Sequence, residues 1–412
     1  MIFVLIAGSK INEVFSMKMF LISTLYNVGG AGGVAALIAE EIQKMGNSVV
    51  FAETREESGT GEKKVNGVRG YEVGLRNVYW PYLKDQNHSS VSKAFWHALN
   101  VYNPWMGAEI GRLLEREQPD LLHTQNLSGF TVSAWHAARK RNIPIVHTCQ
   151  DYSLLCPRSM YRDDASGTRN CYTQCWKCCL FSQPRRPFTD MVDAVIGVSK
   201  FVIGRHLDLG YFSDVETNRV IYNPHDYNEV DIADTSASPN GPLHIGFLGR
   251  LTPLKGIEFL ADSLVEDELS NWTLHVAGRG EKGYERKLKN KYESKKVELM
   301  GFIDPYELLS NIDVLVVPSL WNEPFGLVVV EAMSFGVPVV ASNRGAFPEI
   351  IDTGKTGFIF EISDKKDMID KIVKAKEKMT YKSKKKEIKK ISKHFHVSKT
   401  AEEYLNTFEK VL

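Results

Sequence analysis

The chain has 412 residues, longer than one ordinary core requires, so two domains are expected. With 43% hydrophobic and 25% charged residues it is neither fibrous nor disordered, and a formal net charge of +1 leaves no basic excess of the kind a nucleic-acid binder carries. No run reaches the ~18 apolar residues of a membrane-spanning helix.

The opening MIFVLIAGSKINEVF is apolar, yet no basic segment precedes it and no small-residue cleavage site follows, which argues against a secretory signal and for a cytoplasmic protein. Residues 1–16 are expected to be an extension ahead of the fold. After them, short apolar runs alternate with amphipathic stretches, the rhythm of βαβ units on a parallel sheet. FLISTLY (20–26) reads as a strand, GVAALIAEEIQKMG as a helix closed by Gly46, and SVVFAE as the next strand. DLLHTQ, the helical SAWHAARKRN, IPIVHTC and MVDAVIGVS complete a first unit over 17–227. The polar stretch NEVDIADTSASPNGP (228–242) lacks periodicity and reads as a linker. A second unit over 243–394 restarts with LHIGFLGR and continues through WTLHVAGRG, VELMGF, DVLVVPS and GVPVVAS; residues 395–412 end in an amphipathic helix. The fold class expected is α/β, with two doubly wound domains.

The segment PSLWNEPFGLVVVEAMSFGVPVV carries two acids, Glu323 and Glu331, eight positions apart. A helix is expected over Gly326–Met333, with its free N–H groups and positive dipole end forming an anion site. Were the whole spacing helical, the acids would stand about 12 Å apart, the scale of a nucleotide diphosphate sugar from ribose to sugar. Read without further context, Glu331 serves equally well as a solvated helix residue and Glu323 as a cap. Gly29, Gly30, Gly32 and Gly33 form either a strand-to-helix turn or a phosphate loop. Glu53 lies where a dinucleotide-binding loop would want a ribose acid, but the second half offers nothing to a dehydrogenase.

EPFGLVVVEAMSFGVPVVAS resembles the E-x7-E signature of the retaining nucleotide-sugar glycosyltransferases of family 4. GFLGRLTPLKGIEFL is similar to that family's G-R-L-x-x-x-K-G segment, and NVGGAGGVAALIAEEIQKMGNSV to its glycine-rich loop. The resemblance runs from about residue 18 to the C-terminus. It implies a GT-B fold, two Rossmann-like domains facing across a cleft, with the terminal helix crossing back onto the first domain. It assigns catalytic work to Arg250, Lys255 and Glu323, and donor binding to Gly29, Gly30, Gly249, Phe325, Gly326, Leu327 and Glu331. Two cations and a helix end suffice in principle to stabilise a leaving diphosphate. No D-x-D pair stands where a metal-bridged diphosphate would want one, so no catalytic cofactor is expected.

The expected partners are a nucleotide diphosphate sugar and a glycan or lipid-linked acceptor, in surface polysaccharide assembly. PDLLHTQNLSGF and PIVHTCQDYSLLCPRSMYR resemble family strand ends in which H-x-H-N and H-D-Y are common. Here Gln125 and Gln150 replace histidines, leaving His123, Gln125, Asn126 and Asp151 as candidate cleft residues. All six cysteines lie between Cys149 and Cys179. Cys156, Cys171, Cys175 and Cys178 have a spacing that suits zinc or an iron–sulfur cluster, or else they are reduced thiols near the acceptor entrance. Thirteen lysines against four acids in 365–393 form a solvated face or a peripheral contact with the inner face of the cell membrane. A nucleotide-sugar epimerase and a catalytically silent nucleotide-sugar binder remain as alternative functions.

Overall fold

The computed structural model describes residues 16–82, 88–159, 171, 173–227, 241–266, 269, 271–294 and 296–412. The expected extension, apart from Ser16, and almost all of the expected linker lie outside these. Two α/β domains are seen. The first is built on β1 (Lys18–Ile22), β2 (Ser48–Arg55), β3 (Thr60–Val65), β4 (Val68–Gly74), β5 (Leu121–Thr124), β6 (Ile145–Cys149), β7 (Ala194–Gly197) and β8 (Thr217–Val220). Their order in the sheet is β3-β4-β2-β1-β5-β6-β7-β8, parallel throughout except for the β3–β4 hairpin. Asn66 and Gly67 turn that hairpin with φ of 48° and 88°, the left-handed pair a tight two-residue turn demands.

The second sheet comprises β9 (Leu243–Leu248), β10 (Trp272–Ala277), β11 (Val297–Gly301), β12 (Val314–Val317), β13 (Val339–Ser342) and β14 (Gly357–Phe360), ordered β11-β10-β9-β12-β13-β14 and wholly parallel. Helices cover both faces of the sheets, which is why the central strands are apolar on both sides. In β1, Phe20 and Ile22 join one buried cluster with Met106 and Ile110, while Met19 and Leu21 join another with Ala35 and Ile38 of the first helix, Gly29–Lys44.

The second of these clusters also takes Ala401, Tyr404 and Phe408 from the C-terminal helix, Val397–Phe408, so the last helix of the chain lies on the first domain. The two crossings between domains are paired. The His225 N–H donates to Phe395 O and the Val397 N–H to His225 O, which ties the outgoing and returning strands of chain together. Further bonds join the domains near the cleft. The Tyr152 hydroxyl donates to Asn322 O (3.1 Å) and the Ser199 hydroxyl to Pro324 O (2.6 Å). The Glu349 carboxylate accepts the N–H groups of Lys200 (2.8 Å) and Phe201 (3.0 Å) at the start of the helix Lys200–Asp208, a charge placed where that helix dipole favours it.

Phe408 is fully buried against the first domain, and its truncation leaves a cavity. Phe408→Ala is expected to cost roughly 3–5 kcal/mol in denaturant unfolding of the first domain. A loss below about 1 kcal/mol would show that the C-terminal helix is only loosely seated.

Candidate active site

Each sheet reverses its strand order at one point, between β1 and β5 in the first domain and between β9 and β12 in the second. At such a point the loops leaving the two neighbouring strands diverge, and open α/β proteins bind ligands in the crevice between them. The segments picked out from sequence are those loops. Gly29 and Gly30 follow β1, Gln125 and Asn126 follow β5, Gly249 to Lys255 follow β9, and Glu323 to Gly326 follow β12. The two crevices meet: a Cβ on Gly30 would stand 3.5 Å from the Leu327 side chain of the opposite domain.

In the second domain, Glu323 is buried in the loop ahead of the helix Leu327–Ser334. Its Oε1 accepts from Lys255 Nζ (2.6 Å), Ser319 Oγ (2.6 Å) and Trp321 Nε1 (2.8 Å). Its other oxygen has no such partner among the described residues and stays available to a hydroxyl. Lys255 comes close enough because Gly256 turns with φ of 72°, where any Cβ would collide with Pro318 O at 1.9 Å. Gly326 likewise has φ of 102°, and a Cβ there would meet the Phe347 ring at 2.4 Å. It sets the first turn of the helix, which has no side-chain cap; the Val329 N–H donates to Gly326 O, and the N–H groups ahead of it are oriented as an anion would need. Arg250 is exposed at the head of the β9 loop, and Gly249 beside it has open space where a side chain would be.

Glu323 and Glu331 do not share one helix: the helix begins after the left-handed Gly326, close to the expected Gly326–Met333, and leaves Glu323 in the loop ahead of it. Glu331 sits on the helix itself, partly open to solvent, and its carboxylate has no hydrogen-bond partner among the described residues. Burial against the surrounding protein pushes its pKa up to about 7. A carboxylate so placed gains by accepting hydrogen bonds from a ligand's hydroxyls.

Two residues expected at the cleft belong to the core. The His123 ring is wholly buried, bonded through Nε2 to Thr148 Oγ1 (2.9 Å), and packed at 5.4 Å and 5.2 Å from the rings of Tyr404 and Phe408. Burial holds its pKa down at about 3, so it is a neutral packing residue under the C-terminal helix. Phe325 is 2% exposed, with its ring against Tyr222 and Phe395, so only its backbone can border a donor. Leu327 is half-buried and faces Gly30 across the crevice.

The other candidates of the first domain do gather. Gln150 Nε2 donates to Gln125 Oε1 (3.1 Å) and Asn223 Nδ2 to Gln150 Oε1 (3.1 Å), so the glutamines that replace histidines form one neutral amide chain. Gln125 Nε2 is buried without a partner among the described residues, a donor still to be satisfied. Asp151 accepts from the Ser153 N–H (2.7 Å) and from Asn126 Nδ2 (3.3 Å), and burial raises its pKa. Sequence reasoning missed Ser319, Trp321 and Asn223 as supports and named Gln150 only as the replacement of a histidine. The W-N-E order of 321–323 carried the only local hint.

Comparison with known proteins agrees with this arrangement. A model of glycosyltransferase family 4 matches residues 28–229, and a model of group 1 glycosyl transferases matches residues 230–394. Between them they span both domains, and the chain is a glycosyltransferase of the two-domain GT-B type. An uncharacterised 42.6 kDa protein in the cps region of Klebsiella pneumoniae is 29% identical over 81% of this chain and 87% of its own length. The sulfoquinovosyl transferase SQD2 of Arabidopsis thaliana is 27% identical over 80% of this chain and 60% of its own. Among solved structures, Anabaena HepE in complex with UDP and glucose superposes with a TM-score of 0.67 at 18% identity, covering 95% of this chain and 99% of that one. Sucrose-phosphate synthase from Thermosynechococcus elongatus gives 0.71 at 19% identity, covering 96% and 98%.

Gly326→Ala forces a side chain into a strained backbone conformation and into the Phe347 ring, so a stability loss of at least roughly 1–3 kcal/mol is expected. Unchanged urea unfolding would show that the loop relaxes freely. For Glu331, the native state holds a proton that the unfolded chain has released between pH 4.5 and about 7, so this group makes stability fall as pH rises through that window. Glu331→Gln should therefore gain on the parent protein above pH 7 and match it near pH 4. Equal melting-temperature differences at the two pH values would refute the assigned shift.

Proposed function

We propose that this chain transfers a sugar, with retention of anomeric configuration, from a nucleotide diphosphate sugar to a glycan or lipid-linked acceptor. The observation that supports the reading is the second domain's crevice, where Lys255 is held on the buried Glu323 in the loop ahead of a helix start with no side-chain cap, and Arg250 is exposed on the neighbouring loop. In this reading the diphosphate lies against Arg250, Lys255 and the first turn after Gly326. Glu331 takes the ribose hydroxyls, and the free oxygen of Glu323 takes a sugar hydroxyl. As the bond from the anomeric carbon to the diphosphate breaks, negative charge collects on the leaving oxygen and the two cations absorb it without a metal. The acceptor oxygen forms its bond on the face the diphosphate leaves, and its proton passes to a phosphate oxygen, so no protein base is needed.

UDP and UDP-glucose bound to HepE support a nucleotide-sugar donor, and the relative in a cps region supports surface polysaccharide assembly. No helix among the described residues is long and apolar enough to cross a membrane, so contact with a lipid-linked acceptor would be peripheral. The lysine-rich helices Lys365–Met379 and Lys382–Ser392 would offer that contact, although Lys385 itself is buried.

The test incubates the protein with uridine, guanosine and adenosine diphosphate sugars, following nucleotide release and the anomeric configuration of the product by NMR. One donor should turn over slowly by hydrolysis and faster with acceptor, giving a retained linkage, and Lys255→Ala should slow this by on the order of 10² to 10³. An inverted product overturns the retaining mechanism. A released isomer of the donor identifies an epimerase, and binding without turnover a silent binder.

A further inference from the structure

The site just described uses none of the cysteines, yet Cys156, Cys175, Cys178 and the buried Arg185 come together in the first domain, and the buried Cys171 precedes Cys175 by four positions. Cys156 closes the loop after β6, and Cys175 and Cys178 frame the start of the short helix Trp176–Phe181. Cys156, Cys171 and Cys178 are buried, Cys175 is half-buried, and none of the four is in a disulfide. The Sγ atoms of Cys175 and Cys178 stand 3.8 Å apart. Zinc–sulfur bonds of about 2.3 Å set tetrahedral sulfur–sulfur edges at about 3.8 Å, so the pair already has the length of one edge. Cys156 adds its sulfur within hydrogen-bonding reach of Cys178, and the N–H groups of Lys177 and Cys178 are directed at the sulfur of Cys175. Among the described residues no group of three or more His, Cys, Asp or Glu is already gathered as a ligand set, so closing the site requires the remaining sulfurs to draw in.

An independent observation comes from Arg185. This side chain is 4% exposed, and only its Nη1 is matched, donating to Ser153 O at 2.7 Å. Its Nε and Nη2 are buried without a partner among the described residues. The ionisable groups acting on it include Tyr211, Cys156, Asp151 and Cys178, so two thiols of the cluster are among its electrostatic neighbours. Neutral thiols are weak acceptors and leave a buried guanidinium poorly compensated. A dication held by four thiolates carries a net charge of −2, and its sulfurs accept N–H groups well. Metal ligands are habitually oriented by such surrounding donors.

We propose that Cys156, Cys171, Cys175 and Cys178 bind one zinc ion as a structural tetrathiolate site, with the free N–H groups of Arg185 directed at its sulfurs. The ion would tie the helix Trp176–Phe181 to the loop after β6, beside the cavity lined by Trp96, Ser128, Ser153, Leu154 and Arg185. Binding releases the thiol protons to solvent and involves no change of oxidation state. The proposal stands independently of the transfer reaction, since it concerns the integrity of the first domain.

The experiment is elemental analysis of the full chain purified under reducing conditions without added metal, together with native thiol titration. About one zinc per chain is expected, with the four ligand thiols protected until the metal is removed. Cys175→Ser, at the half-buried position, and Cys178→Ser should each lose the zinc, whereas Cys149→Ser and Cys179→Ser should keep it. Should Cys178→Ser fail to fold, Cys175→Ser and the wild-type stoichiometry decide the matter. Arg185→Gln should retain zinc but release it to a chelator roughly tenfold to a hundredfold faster. Zinc well below one per chain with freely titrating thiols would overturn the proposal. So would iron with acid-labile sulfide, or a mass two hydrogens lighter from a Cys175–Cys178 disulfide.

Discussion

A single carboxylate oxygen organises the second domain's crevice. Glu323 Oε1 takes a lysine, a serine hydroxyl and an indole N–H at once, and these three donors come from the loops leaving two neighbouring strands. The hub fixes Lys255 beside the helix start and leaves the second oxygen of Glu323 uncommitted. A cation held this way is oriented before any ligand arrives, the condition under which electrostatic stabilisation costs least during a reaction. Its partner glycines are steric necessities: Gly256 lets the β9 loop lie on the end of β12, and Gly326 lets the helix begin against Phe347.

The same loop is also the junction between domains. Asn322 and Pro324, on either side of Glu323, give their carbonyls to Tyr152 and Ser199 of the first domain. A shift of one domain against the other must therefore pull on the residues flanking the hub, which couples cleft geometry to the placement of Lys255. Glu349, the paired crossings at His225 and Val397, and the C-terminal helix spread this restraint along the whole junction.

Much of this was legible in the chain. The runs FLISTLY, SVVFAE, LHIGFLGR and DVLVVPS mark strands because a strand buried on both faces has no room for polar residues. EPFG and the L-x-x-x-K-G segment stood out through their resemblance to family motifs, since their spacing alone suits a surface pair and a helix cap equally well. The β3–β4 hairpin was passed over although Asn66-Gly67 announces it, since its strands alternate too weakly in polarity to stand out. The burial of the His123 and Phe325 rings was not legible for a common reason. Their position in a motif says which loop or strand carries them, while their burial depends on Tyr404, Phe408, Tyr222 and Phe395, which come from distant parts of the chain.

The sequence by itself determined the alternating α/β pattern, the two-domain length and the residue types of the candidate crevice, because periodicity and local motifs are properties of neighbours in the chain. Only the tertiary structure decided the strand order, and with it the two reversal points that bring residues 29–30, 125–126, 249–255 and 323–327 together. It also decided that Glu323 has three donors while Glu331 has none among the described residues. Hydrogen-bond partners and desolvation are set by what folds against a residue, and no spacing along the chain encodes that.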